Sequence, residues 1–170
     1  MATIPILCER GDLIKIDAVL GLSVQERRLI YATPRAFGQF ATSLPNIEAQ
    51  WKPKVTAPEQ VDALIATFCS GEEFAHDTNR GNGGDFKRIK GRSNGIWELK
   101  TDDVRIFGWF YKKDVFIASE VVDANILKQM ENYTAYAEQA VRQRDALELN
   151  EPKFIGGESA YDVVTNYFDS

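Results

Sequence analysis

Hydrophobic and polar positions along this chain change their period twice. Between Thr33 and Cys69 apolar residues recur at helical spacing. Thr33-Pro34 reads as an N-cap followed by proline at the first helical position, with Phe37, Phe40, Ala41 and Leu44 on one stripe before Pro45. A second helix spans Thr56 to Cys69, where Val61, Leu64, Ile65 and Phe68 share a face and Ser70-Gly71 ends it. The period then drops to two, predicting strands at Phe86–Lys90, Gly95–Thr101, Val104–Lys112 and Val115–Val122. The connections are short, and short connections force antiparallel neighbours, so these strands read as a β-meander. Helical spacing returns from Ala124 to about Leu149, with Asp123 as N-cap and Ile126, Leu127, Met130, Tyr133, Ala137, Val141 and Leu147 on one face.

The ends are less regular. Pro5–Glu9 and Leu13–Ile16 read as short strands around the turn Arg10-Gly11-Asp12, and Ser23–Tyr31 as a helix with the Ser23/Glu26 capping pattern. Beyond Pro152, Gly156-Gly157 marks a turn before a short helix at Ser159–Phe168. Helices, then an antiparallel sheet of about four strands, then a long C-terminal helix make an α+β fold in a single domain, 1–170. The apolar residues of the tail predict that it packs back on the body.

Composition adds location and charge. The sequence has 170 residues, 44% hydrophobic and 26% charged, as in ordinary globular proteins. No apolar run is long enough for a membrane helix, and no secretory pattern precedes the first element. Two cysteines, Cys8 and Cys69, outside any CxxC pair, indicate neither zinc nor a disulfide framework. The expected compartment is the cytoplasm. Net charge is −5, yet the stretch Asn79–Lys113 holds nine cations against four acids, a local +5 that leaves −10 for the rest. An acidic whole argues against non-specific nucleic-acid binding, and a basic block within it keeps a specific anion site open.

The chemistry-bearing residues are few. The glycine-rich loop "NRGNGG" fits no phosphate-binding fingerprint and leads into a strand, so it reads as a connector. His76 is the single histidine. It can act as one general base, while its place beside Asp77 in a polar loop suits a solvated surface residue. Glu72-Glu73 and Asp102-Asp103 are sequence neighbours that point into water unless other ligands converge on them, so no metal site is expected. The basic block interleaves Lys87, Arg88, Lys90, Arg92 and Arg105 with Trp97, Phe107, Trp109, Phe110 and Tyr111. Cations beside exposed aromatics suit RNA, whose bases stack and whose phosphates pair with Arg and Lys. The alternative is a sheet whose aromatics face the core and whose cations face water.

The segment "FKRIKGRSNGIWELKTDDVRIFGWFYKKDVFIASEVVDANILKQ" resembles the RelE/HigB-like toxins, in particular the phage-derived HigB-type branch. The resemblance is carried by a strand ending in "IKG", then "GIWELK", a polar turn, "VRIFGWF", a basic hairpin tip and a hydrophobic last strand. It is closest over 86–145 and extends loosely to a core of 28–149, leaving 1–27 and 150–170 as terminal extensions. It implies the toxin of a toxin–antitoxin pair, an endoribonuclease that cuts mRNA, often on the ribosome, without a metal or other cofactor. The implied step is attack of a 2′-hydroxyl on the adjacent phosphate, which needs a base, an acid and cations. Arg105 matches the family's strand arginine as a phosphate contact. Lys90 and Arg92 match basic residues at the preceding strand end, and Lys128 and His76 complete the implied catalytic set. Lys87, Arg88, Trp97 and Tyr111 are then substrate contacts, and the implied partners are an antitoxin protein and mRNA or the ribosome. Where RelE carries two strand lysines this chain has Ile96 and Glu98, and Asp123 lies where basic residues are common. Those departures favour the alternative, a catalytically degenerate, phage-related relative that binds RNA or protein without cutting.

Overall fold

The computed structural model describes every residue except 52, 79–82, 92, 93 and 131. In chain order the elements are α1 (Ile4–Arg10), β1 (Ile14–Ile16), β2 (Leu29–Ala32), α2 (Pro34–Thr42), a 3-10 turn at Leu44–Asn46, α3 (Ala57–Ser70), β3 (Phe74–His76), β4 (Phe86–Arg88), β5 (Ile96–Lys100), β6 (Val104–Lys112), β7 (Val115–Asp123), α4 (Ala124–Met130), α5 (Tyr133–Ala146), α6 (Ala160–Val163) and β8 (Tyr167–Asp169).

The two helices before the central strands form where their caps predict. Thr33 Oγ1 accepts from the Ala36 N–H at 3.2 Å. Thr56 Oγ1 accepts from the Glu59 N–H while Glu59 Oε2 accepts from the Thr56 N–H, at 3.3 and 2.8 Å, a reciprocal capping box. Gly71, at φ 81°, ends α3 in the left-handed conformation that glycine adopts without strain.

The sheet departs from the expected α+β meander with one long C-terminal helix. Its eight strands run in the order β1-β2-β7-β6-β5-β4-β3-β8 and curl into a half-barrel. The antiparallel run β4-β5-β6-β7 lies at its centre, but β2 pairs parallel to β7, and β3 pairs parallel to both β4 and β8. These parallel pairs join segments far apart in the chain, so no local turn signal announces them. The helix expected at 124–149 is two helices, the second starting after Asn132. Ile4–Arg10 is helical instead of extended, with Pro5 in its first turn. The helix expected at Ser23–Tyr31 is absent, and its apolar end becomes β2, which the pairing with β7 holds extended. The last apolar run, expected to be helical, divides into α6 and β8.

Both faces of the sheet are covered. One core joins Trp97, Leu99, Ile106, Phe110, Phe116 and Ala118 to α2, α3 and α6. The other joins Ile96, Phe107, Trp109, Ile117 and Val122 to α1, α4 and α5. In consequence β6 is buried from Val104 to Phe110 without alternation, the signature of a strand between two layers. Arg28 ties the body together: buried, it donates to the carbonyls of Phe68, Glu72 and Thr165 at 2.8, 2.8 and 2.5 Å, with Asp114 3.6 Å away.

Candidate functional site

The register of three central strands gathers charge on one face. Lys87 of β4 lies opposite Glu98 of β5, and Lys100 lies opposite Arg105 of β6. Residues two apart on a strand share a face, so Lys87, Glu98, Lys100 and Arg105 form one cross-strand patch. Beyond Glu98 the same row continues to Phe107, whose ring is covered by Tyr133 and Tyr136 of α5 at centroid distances of 6.0 and 5.7 Å. Helix α4 starts where β7 ends, with Asp123 Oδ1 accepting the Asn125 N–H at 2.8 Å, and carries Lys128 in its last turn.

These elements enclose a cleft of about 670 Å³ lined by Lys87, Arg88, Lys90, Lys100, Arg105, Lys128, Asp77, Glu98 and Tyr133, among others. Among the described lining residues, six cations thus face two carboxylates. Lys100 pairs with Asp77, and Arg88 pairs with Glu158 at 2.9 Å. Arg105 is held from behind, its Nη1 donating to the carbonyls of Thr101 and Val104. Its Nε sits 4.0 Å from Glu98 Oε1.

Glu98 is 2% exposed, and its Oε2 has no hydrogen-bond partner among the described residues; the same holds for Arg105 Nε. Burial pushes the Glu98 carboxyl above the ordinary glutamate range, against the pull of Arg105, Lys100 and Lys87. Burial also raises the Tyr133 phenol, reinforced by Glu98 and opposed by Arg105. The Lys128 ammonium is moved the other way, below its ordinary value, by burial first and by the neighbouring Arg105 and Lys100. A carboxyl raised and an ammonium lowered both move toward neutral pH, the direction that suits general acid–base work.

Of the residues expected from sequence, Arg105, Lys90, Lys128, Lys87 and Arg88 meet in this cleft. Lys90 is exposed at its rim. Arg92 lies outside the described residues. Three others belong elsewhere. His76 is on β3, its Nδ1 2.8 Å from Asp169 Oδ1, with its ring against Phe86 and Trp97 in the opposite core. Trp97 is fully buried there and has no face to offer a base. Tyr111 lies at the far end of β6, beside Ile4, Tyr31 and Val115. The assignment of cations to a solvated sheet face also fails for Arg105, which is 5% exposed.

Sequence reading missed Glu98, Lys100, Tyr133 and Asp77. The first two were within reach, because once the turn at Thr101–Asp103 is set, Lys100 must oppose Arg105 and Glu98 must share their face. Tyr133 depends on where α5 starts, and Asp77 on a parallel pairing, neither of which leaves a local trace. Among the described residues, no group of three or more His, Cys, Asp or Glu side chains is arranged to hold a metal ion, and no helix is long and apolar enough to cross a membrane. No family model, curated protein or solved structure matches this chain.

Proposed function

We propose that the cleft binds the sugar–phosphate backbone of RNA and cuts it by attack of a 2′-hydroxyl on the adjacent phosphorus. The observation that carries this reading is the buried Glu98 carboxyl, raised by burial and unpartnered at Oε2, on the floor of a cleft lined by six cations. Glu98 takes the proton of the 2′-hydroxyl, and the O2′ electron pair forms a bond to phosphorus. Arg105 and Lys100 stabilise the charge that develops on the phosphoryl oxygens. The P–O5′ bond breaks, and Lys128, whose lowered pKa makes it the better proton donor, protonates O5′. The products are a 2′,3′-cyclic phosphate and a 5′-hydroxyl. This is the chemistry that the resemblance to RelE/HigB-like toxins implies, with a glutamate and a lysine in the proton-transfer roles. The partner of such an enzyme is an antitoxin that covers the cleft.

A second reading, RNA binding without cleavage, is favoured by the carboxylates already in place. Glu98 faces Arg105, and Asp77 and Glu158 occupy Lys100 and Arg88. A labelled oligoribonucleotide separates the two. The enzyme reading expects cleavage that rises with pH as Glu98 ionises and falls as Lys128 loses its proton. It also expects Glu98→Gln to lower the rate by about 10²–10⁴-fold while binding persists. RNA that is bound but stays intact supports the second reading. An absence of salt-sensitive binding sinks both.

A further inference from the structure

Trp51 differs from the other two tryptophans of the chain. Trp97 and Trp109 are fully buried, whereas Trp51 is 66% exposed. Its position is nevertheless fixed at two points. Its backbone N–H donates to Asp103 Oδ1 at 3.4 Å, next to the Gln50 N–H at 3.1 Å, and its indole Nε1–H donates to Asn125 Oδ1 at 2.8 Å. Asp103 is itself fully buried and accepts from Gln60 Nε2 and Asn125 Nδ2 at 2.8 and 3.0 Å, so the anchor is rigid. Burial pushes its carboxyl up, but these four donors outweigh burial and hold it below the ordinary aspartate value.

The same two anchors place the indole at the cleft. Asn125 is in the first turn of α4 and Lys128 in its last, and the Lys128 ammonium lies 5.5 Å from the Trp51 ring centroid while also lining the cleft. With the indole N–H engaged and the Lys128 ammonium over one face of the ring, the exposed part of Trp51 offers a base the remaining ring surface. A flat, water-facing aromatic held in place beside a cationic groove is the pairing that binds single-stranded nucleic acid, with phosphates in the groove and a base on the ring.

We propose that Trp51 is a nucleobase-stacking platform at the rim of the cleft, so that a single-stranded RNA lays its backbone along Lys128 and Arg105 and stacks one base on the indole. This rests on the RNA reading of the cleft, and it adds that the substrate is unpaired and is gripped through a base without a base-edge code. Stacking is tolerant of sequence because every base has a π-face.

The test is fluorescence titration with a 2′-O-methyl oligoribonucleotide, which cannot be cut by 2′-hydroxyl attack, and with an abasic oligomer of the same backbone. Because the other two tryptophans are buried, Trp51 dominates the solvent-quenchable emission. The base-bearing oligomer is expected to quench that emission and protect it from acrylamide. With affinity read from the anisotropy of the end-labelled oligomer, Trp51→Ala is expected to weaken its binding roughly tenfold to a hundredfold, with Trp51→Phe restoring most of the loss. The dependence of affinity on salt stays the same in all three proteins, and the abasic oligomer binds them equally. Equal affinity of Trp51→Ala and the unaltered protein for the base-bearing oligomer, with salt-sensitive binding kept, overturns the platform and leaves the cleft reading standing. Failure of both oligomers to bind overturns both.

Discussion

Asp103 is the anchor behind both the cleft rim and the turn that sets the β5–β6 register, and replacing it with alanine tests that role. The buried carboxylate accepts from four donors: the Gln50 and Trp51 N–H groups, Gln60 Nε2 and Asn125 Nδ2. Gln50 and Trp51 are exposed, so their N–H groups find water when the carboxylate goes. Gln60 and Asn125 are buried at 8% and 6% exposure. Gln60 Nε2 keeps a second acceptor, the Val55 carbonyl at 3.1 Å, while Asn125 Nδ2 is left with none among the described residues. An orphaned buried donor costs roughly 1–3 kcal/mol, and a lost bond to a charged acceptor roughly 1.5–3 kcal/mol. The sum for Asp103→Ala is about 2.5–6 kcal/mol, a large share of the roughly 5–15 kcal/mol by which domains are stable. At about 2–4 °C per kcal/mol for a chain of this size, the midpoint of thermal unfolding drops by roughly 5–24 °C. The Asp103 carboxyl is held below its ordinary value of 3.8, so its contribution is present above that value and is lost as pH falls through the folded-state pKa. Urea unfolding across an acid series therefore shows a wide gap between the two proteins at neutral pH that narrows on acidification. A gap under about 1 kcal/mol at neutral pH, or one that widens in acid, rules out this anchoring role for Asp103.

Other consequences follow from the same packing. Glu98 is raised above its ordinary value of 4.5, so the stability linked to it is full below that value and is lost as pH rises through the folded-state pKa. Stability of Glu98→Gln relative to the unaltered protein is expected to improve as pH climbs through that window, read by chemical unfolding at successive pH values. Gly108 sits in β6 where a Cβ would run into the Ile117 carbonyl oxygen and the Phe116 ring. Gly108→Ala is expected to lose at least about 1–3 kcal/mol in urea unfolding, because the clash is with backbone that cannot step aside. Thiol labelling adds a control on the core. Burial pushes the Cys69 thiol up to about 12, so the folded protein is expected to show Cys69 unreactive toward a thiol reagent at pH 8 until it is unfolded.

The legible and illegible parts of this molecule divide along the range of the interactions. Caps at Thr33, Thr56 and Asp123 act within three residues, and they mark their helices in the sequence. The four central strands are legible because apolar runs and short turns are local. The partners of β2, β3 and β8 are set by pairings across most of the chain, so Ser23–Tyr31 reads as a helix and the tail as a helix with no trace of β8. Continuous burial along β5 and β6 hides which of their residues face which layer. For the same reason Trp97 and Tyr111 read as substrate contacts while Glu98, two residues from Lys100 on the cleft face, reads as a departure. The cations of the cleft are legible as a cluster because three of them lie within four residues, at Lys87, Arg88 and Lys90. Trp51, in the linker before α3, gives no signal until Asp103 and Asn125 are seen to hold it.

The most direct test of the account uses an oligodeoxynucleotide carrying one ribonucleotide, end-labelled and incubated with the purified protein. A single cut is expected on the 3′ side of that ribonucleotide, ending in a 2′,3′-cyclic phosphate and abolished by 2′-O-methylation. Cutting at deoxynucleotides, a cut that survives the methyl group, or no cut at all contradicts the assignment of Glu98 as the base of a 2′-hydroxyl attack.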